Sequence, residues 1–392
     1  MHDLLFYNMS YSRIFSIILF SVFCCSKVYS QSKDHCYLLI GGYTKPLKDK
    51  GIAVYDFNMQ TGDLQIRSVT GGIENPSYLT ISRDGTKVYA VSEKNNGQGI
   101  IIAYQFNRST GTLRFINEAS SGGEGPCYVS VDDAGTHVFA ANYGDGRLSA
   151  IRLNKDGSLD IAAVQSIQHT GSSINKESQT GPHAHSAVLS PDNRYVLGAD
   201  LGTDRVYIYR FDSKAANPLS PANTAYVATE PGSGPRHICF HPNSQYVYVV
   251  NEMSGTVDAF DYKDGVLNSK QSITMLPDGF TGIVEAADIH ISADGKFLYA
   301  SNREVRNEIV IYSISKKGTL SFTGRQPVLG AVPRNFVIDP SGKFLLVANQ
   351  KTSEVIVFRR NANTGLLKFT GKKISIPGPA CLKFISEARQ RL

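Results

Sequence analysis

One pattern of about fifty residues recurs along this chain and restricts its fold more than any other feature. Six copies stand in order: NPSYLTISRDGTKVYAVSE (75–93), GPCYVSVDDAGTHVFAANY (125–143), HAHSAVLSPDNRYVLGAD (183–200), GPRHICFHPNSQYVYVVNE (234–252), EAADIHISADGKFLYASNR (285–303) and VPRNFVIDPSGKFLLVANQ (332–350). Each is an apolar run, a turn of the D-G, D-N or P-N type, and a second run rich in Val, Tyr and Ala, which is a β-hairpin pattern. A second turn follows each hairpin in most copies, as in TGDL (61–64), TGTL (110–113), DGSL (156–159), DGVL (264–267), KGTL (317–320) and TGLL (364–367). The unit is therefore four antiparallel strands, and no amphipathic helix of useful length separates the units. Repeated four-stranded units predict an all-β chain folded as a β-propeller.

Six copies do not close the ring. GPACLKFI (378–385) matches the first strand of a further unit, and CYLLIGGY (36–43) matches the second. The expectation is a seven-bladed propeller whose closing blade is built from both termini, which also removes the open sheet edges. Residues 31–392 then supply about 52 residues per blade. Composition is uniform after residue 35, so 31–392 reads as one domain. The main departure is the polar insertion QSIQHTGSSINKESQTGPHAH (165–185) before the third copy, either a functional loop or plain surface.

In an antiparallel blade the start of strand one and the end of strand two share one face of the disc. The starts are Ser77, Cys127, His185, Arg236, Ala287 and Arg334; the ends are Glu93, Tyr143, Asp200, Glu252, Arg303, Gln350 and Tyr43. Both columns are mostly polar, so polar groups gather at one mouth of the central channel, a default binding site. Charge concentrates in consecutive blades at His185, Arg236, Glu252 and Arg303, the candidate catalytic set. His183, Arg334, Tyr143 and Tyr43 are candidates for binding substrate, the tyrosines by stacking on a sugar ring. Arginine offers paired donors to carboxylate or phosphate and steadies an oxyanion. A histidine or glutamate can activate water. Either His185 or Glu252 fits that role. Strand alternation turns His237 away from Arg236, and His241 and His290 read as core or turn histidines. HAH (183–185) is a weak metal hint, and the expectation is no metal and no cofactor. There is no Gly-rich phosphate loop, nucleophile elbow or C-x-x-C motif.

The formal charge of +6 is interspersed, which argues against a nucleic-acid footprint. Arg13, the apolar run Ile14–Phe23 and the small residues that follow read as a secretory signal peptide over 1–30. The run is too short to span a bilayer, so an exported protein free of the membrane is expected, periplasmic or extracellular. A lipid anchor at Cys24 or Cys25 is the weaker alternative. Export permits disulfides. Cys36 and Cys381 fall on neighbouring strands of the closing blade and are the one candidate pair, against unpaired buried thiols as the favoured reading. Oligomeric state is not legible.

The motifs GPHAHS, GPRHICFHP, VYVVNE, ADIHISADGKFLYASNR and PRNFVIDPSGKFLLVANQ resemble the lactonase family of seven-bladed propellers, which includes bacterial 6-phosphogluconolactonases and fungal carboxy-muconate lactonising enzymes. The resemblance spans nearly all of 36–385. It implies hydrolysis of the internal ester of a small-molecule sugar lactone, with no metal required. It also implies a catalytic His, Glu and Arg set matching His185, Glu252, Arg236 and Arg303; the role expected of Arg236 and Arg303 is to bind the substrate anion and steady the tetrahedral oxyanion. Phosphosugars are scarce outside the cell membrane, so export sets the phosphorylated substrate against two alternatives, an unphosphorylated sugar lactone or another cyclic ester. The alternative is a non-catalytic propeller that binds a ligand or protein on the same face.

Overall fold

The runs that follow the hairpin turns are apolar in successive positions, not alternate ones, and the structure explains why. Tyr246–Asn251, Phe297–Asn302 and Phe344–Asn349 are buried along their whole length. A strand stacked on a neighbouring blade through each face has no solvent side, so alternation disappears. The outermost strands, such as Leu219–Ala228, are largely exposed.

The computed structural model describes residues 34–385, apart from 46, 48–49 and 94–97. The expected signal peptide at 1–30, with Cys24 and Cys25, lies outside the described residues. The described chain forms seven four-stranded antiparallel sheets and contains no helix. We number the six complete blades in chain order, with innermost strands Leu79–Ile81, Pro126–Val131, Ala184–Leu189, Pro235–Phe240, Ala286–Ile291 and Pro333–Ile338. Blade seven joins the C-terminal strand Pro379–Ile385 to His35–Gly42, Gly51–Asn58 and Leu64–Gly71. The expected closure from both termini is thus the observed one.

The register of that closing pair separates the two cysteines. Cys381 stands opposite Gly41, five positions along the strand from Cys36. At about 3.3 Å per residue the gap is far beyond disulfide reach. All four described cysteines are free thiols, and Leu79 donates its N–H to Cys381 Sγ at 3.3 Å.

One irregularity recurs at the start of the innermost strands. In blade four Pro235 pairs with Asn251 but His237 pairs with Val250, so Arg236 is an extra residue. The same bulge sets out Cys127, His185, Arg334 and Ala380 in blades two, three, six and seven, and blade five shifts between Ala286 and Ile289. A bulge bends the strand and re-aims a side chain. Here it breaks alternation at the channel mouth.

Just inside the mouth, blades four to seven are clasped around one carboxylate. Asp288 is 2 % exposed. It accepts from His237 Nδ1 (2.8 Å), His290 Nε2 (2.9 Å), Phe336 N (3.2 Å) and Asn335 Nδ2. Asn335 Oδ1 in turn accepts from Leu382 N of the closing strand at 2.7 Å. Burial opposes ionisation, but His290 and His237 outweigh it and hold Asp288 well below the usual carboxylate range. His237 is pushed down to about 4, first by burial and then by Arg236.

Both shifts act in one direction. A carboxyl with a depressed folded pKa contributes stability above its ordinary value of 3.8, and that is lost on acidification below it. A histidine buried neutral loses stability as pH falls from 6.5 to about 4. The urea midpoint of the intact protein should therefore fall steadily below pH 6.5. Asp288→Asn should cost about 3 kcal/mol or more at pH 7 and show a flatter acid branch. A variant whose midpoint follows the parent at every pH would remove Asp288 from this role.

Candidate functional site at the channel mouth

The bulge and the end of each second strand build one constellation. Glu252 follows Tyr246–Asn251, and its N–H bonds Gly234 O at 2.7 Å, which fixes it at the rim beside Arg236. Arg303 holds the same place in blade five, with its N–H on Glu285 O at 3.0 Å. Arg303 Nη2 contacts Glu252 Oε1 at 2.9 Å, and Arg236 Nε lies 2.7 Å from Oε2. The second contact is a charge contact, because the N–H is not aligned and Oε2 takes no hydrogen bond. Arg303 also reaches Glu285 at 3.6 Å, a residue the repeat columns did not flag. Burial alone would raise the Glu252 pKa. Arg303, Arg236 and Arg334 outweigh it and pull it below the ordinary value, so the group is a carboxylate near neutrality.

Arg236 is buried to 2 % exposure and is held from behind. Its Nη1 donates to Ala287 O at 2.6 Å and meets His237 Nε2 at 3.2 Å. An ionised Asp288 can only accept, so His237 Nδ1 carries the proton and Nε2 offers a lone pair to Arg236. The expectation that alternation separates His237 from Arg236 is corrected here. The bulge at Arg236 puts both side chains on one side, and no residue type in the sequence marks it.

His185 is buried against Cys127, with Nδ1 3.6 Å from Sγ, and its ring lies 5.5 Å from that of His237. Burial, then Arg236, His237 and Arg334, hold its pKa well below 6.5, so His185 is a neutral imidazole. Burial pushes the Cys127 thiol up to about 12, which rules out an activated thiolate. Tyr143 carries both histidines of HAH. His183 stacks on it at 4.5 Å and His185 meets it edge-on at 5.4 Å. His183 Nδ1 bonds Tyr143 O at 2.8 Å, so the two histidines are committed to separate partners. Among the described residues no group of three or more His, Cys, Asp or Glu side chains is placed to hold a metal ion.

Arg334 lies over the Tyr43 ring, 5.1 Å from its centre. Its guanidinium makes no ion pair among the described residues. Burial would lower its pKa, yet the fields of Tyr43, Glu93 and Glu252 raise it. Ser77, Tyr78, Cys127, Arg236, His237 and Arg334 line one narrow cavity of about 10 Å³, room for about one water. The structure thus brings together all eight candidate residues around one mouth, with Arg236 and Arg303 spent on Glu252 and Arg334 left free.

Asp200 is displaced from its expected place. It pairs with Ala184, as Asn251 pairs with Pro235, so it sits one residue before the rim, and Leu201 takes the rim position. Asp200 instead anchors the insertion. It accepts from His169 Nδ1 at 2.7 Å and from His183 N at 2.9 Å, and Gln179 Nε2 donates to Leu201 O at 2.8 Å. The insertion is therefore bonded to the rim beside His183. His241 caps a turn through Gly295 O at 3.0 Å, as expected.

Comparison with known proteins agrees along the whole fold. The family model described as lactonase, 7-bladed beta-propeller, matches residues 37–384. The 6-phosphogluconolactonase of Bacillus subtilis is 34% identical over 351 residues, covering 89% of this chain and 98% of its own. That of Formosa agariphila is 36% identical over 310 residues, covering 78% and 86%. The solved structure of the Pseudomonas aeruginosa periplasmic gluconolactonase superposes with a TM-score of 0.85 at 34% identity, over 90% of this chain and 99% of that one.

The two-arginine grip on Glu252 can be read directly. A 13C titration of its side-chain carboxyl should give a midpoint below 4.5, since the cations outweigh burial. In Arg236→Leu burial persists with one cation fewer, so the midpoint should rise. An unshifted midpoint in a folded Arg236→Leu protein would show that Arg236 does not hold the charge.

Proposed function

The chain belongs to the seven-bladed β-propeller lactonase family, and from that premise we propose that it adds water across the cyclic ester of a sugar lactone at the channel mouth. The observation that carries this reading is the ionised Glu252, fixed by Arg236 and Arg303 beside an Arg334 with no ion pair among the described residues. The Glu252 carboxylate takes a proton from the attacking water. The water oxygen bonds to the carbonyl carbon, and the charge that develops on the carbonyl oxygen faces Arg334. The intermediate then expels the ring oxygen, which gains a proton, and a hydroxy acid leaves. His185, neutral and buried, orients the water or the ester by hydrogen bonding. Arg236 and Arg303 act here by positioning Glu252, which differs from the anion-binding role expected of them from the sequence. The stacked Tyr143 and His183 offer a flat face to the sugar ring, and Tyr43 supports Arg334.

The basic residue and apolar run at 13–23 support export. A relative named as a periplasmic gluconolactonase is consistent with that. An unphosphorylated aldonolactone is the substrate class this favours.

Acid release from phosphorylated and unphosphorylated sugar lactones, followed in a pH-stat, tests the proposal. Turnover should be higher on the unphosphorylated set. Glu252→Gln and Arg334→Met should each lower kcat by about 10²–10³ with folding intact. No release above the spontaneous rate from any lactone would leave the non-catalytic binding reading in its place.

A further inference from the structure

Across the mouth from Glu252 lies a second carboxyl that the scheme above leaves unused. Glu93 occupies the same position in blade one that Glu252 occupies in blade four. Its N–H bonds Asn75 O at 3.3 Å, as that of Glu252 bonds Gly234 O. Successive innermost strands touch in chain order around the ring, so three blades separate the two, the greatest distance a seven-membered ring allows.

Glu93 is tethered by one oxygen only. Ser77 Oγ and Tyr43 O–H both donate to Oε1, the tyrosine at 3.2 Å. Oε2 takes no hydrogen bond from a described residue, and Glu93 forms no ion pair among them. Ser77, which holds Glu93, and Arg236, which contacts Glu252, line the same cavity. Arg334 lines that cavity too, and the fields of both carboxyls act on its guanidinium.

The two surroundings push the carboxyls apart. Burial raises the Glu93 pKa, and the opposing pulls of Ser77, Arg334, Tyr43 and Arg236 do not cancel it. Cys127, from blade two, is a neutral thiol and adds no charge. Glu252 is pulled down by its arginines. Carboxyls held at different pKa values within one site divide the roles of acid and base.

We propose that Glu93 is a second catalytic carboxyl, the acid that protonates the ring oxygen as the ester opens. The step completes the hydrolysis proposed above and rests on it. Water loses a proton to Glu252 and forms the new C–O bond. When the intermediate collapses, the acyl–oxygen bond breaks and its electron pair goes to the ring oxygen, which takes the proton of Glu93. Glu252 returns its proton through solvent and Glu93 is reprotonated. The sum is one water added to one lactone.

The test is the pH dependence of kcat on an unphosphorylated aldonolactone, with the spontaneous rate subtracted. The parent enzyme should lose activity on its alkaline side as Glu93 deprotonates. Glu93→Gln should lower kcat by about a hundredfold and lose that alkaline limb, while keeping the acid limb set by Glu252. Its KM should move by less than about threefold, and Glu93→Asp should recover part of the rate. Thermal unfolding checks that each variant is folded. A Glu93→Gln enzyme that keeps its rate, or a slow one that keeps the alkaline limb, overturns the proposal and leaves the hydrolysis reading intact. A parent enzyme that opens no lactone overturns both.

Discussion

A carboxylate taken out of water must be bonded on every side, and Asp288 passes that demand outward through the channel wall. Its need for donors sets the His237 tautomer, which leaves one ring nitrogen for Arg236. Arg236, held from behind by that nitrogen and by Ala287 O, presents its remaining edge to Glu252. The charge pattern at the mouth is thus inherited from the packing of blades four to six. The same carboxylate reaches blade seven through Asn335 and Leu382, so the site and the ring share a support.

Electrostatics at the mouth follows from partner choice more than from residue type. Three arginines approach Glu252, but they are not equivalent. Arg236 and Arg303 contact it directly, while Arg334 lies on an aromatic face without an ion pair to any described residue. A guanidinium already neutralised in a buried pair has little left for a ligand, and one packed on a ring keeps its donors. His185 is kept neutral by burial first and then by Arg236, His237 and Arg334, so an imidazole that looks like a base in the sequence behaves as a hydrogen-bonding group.

Most of the fold was legible because the repeat couples a short-range signal, the turn after an apolar run, to a fixed period. Both halves of blade seven were legible for the same reason, since each matches one strand of the unit. The rim residues followed from antiparallel pairing. What the sequence hid was the extra residue in the innermost strands of blades two to seven. A bulge without a glycine carries no mark, and its displacement by one residue reverses every inference from alternation. His237 was set aside on that ground, and its partner Asp288 went unnoticed within an apolar strand. Asp200 was misplaced by one position because blade three carries Asp where blades two, four, five and six carry Asn. The Cys36–Cys381 pairing failed on register, which depends on contacts between opposite ends of the chain. Glu93 stood in the rim column, but only its three-dimensional neighbours distinguish it from the rest.

The pairing of Pro379–Ile385 with His35–Gly42 also orders events during folding. The innermost strand of blade seven follows the other six blades in the chain, and its partner precedes them. Until these two strands pair, the stack of completed blades has two bare flanks and no enclosed channel. Tyr43 and Arg334 meet only when the ring shuts. The mouth is thus acquired late, in a single docking of strands far apart in the chain.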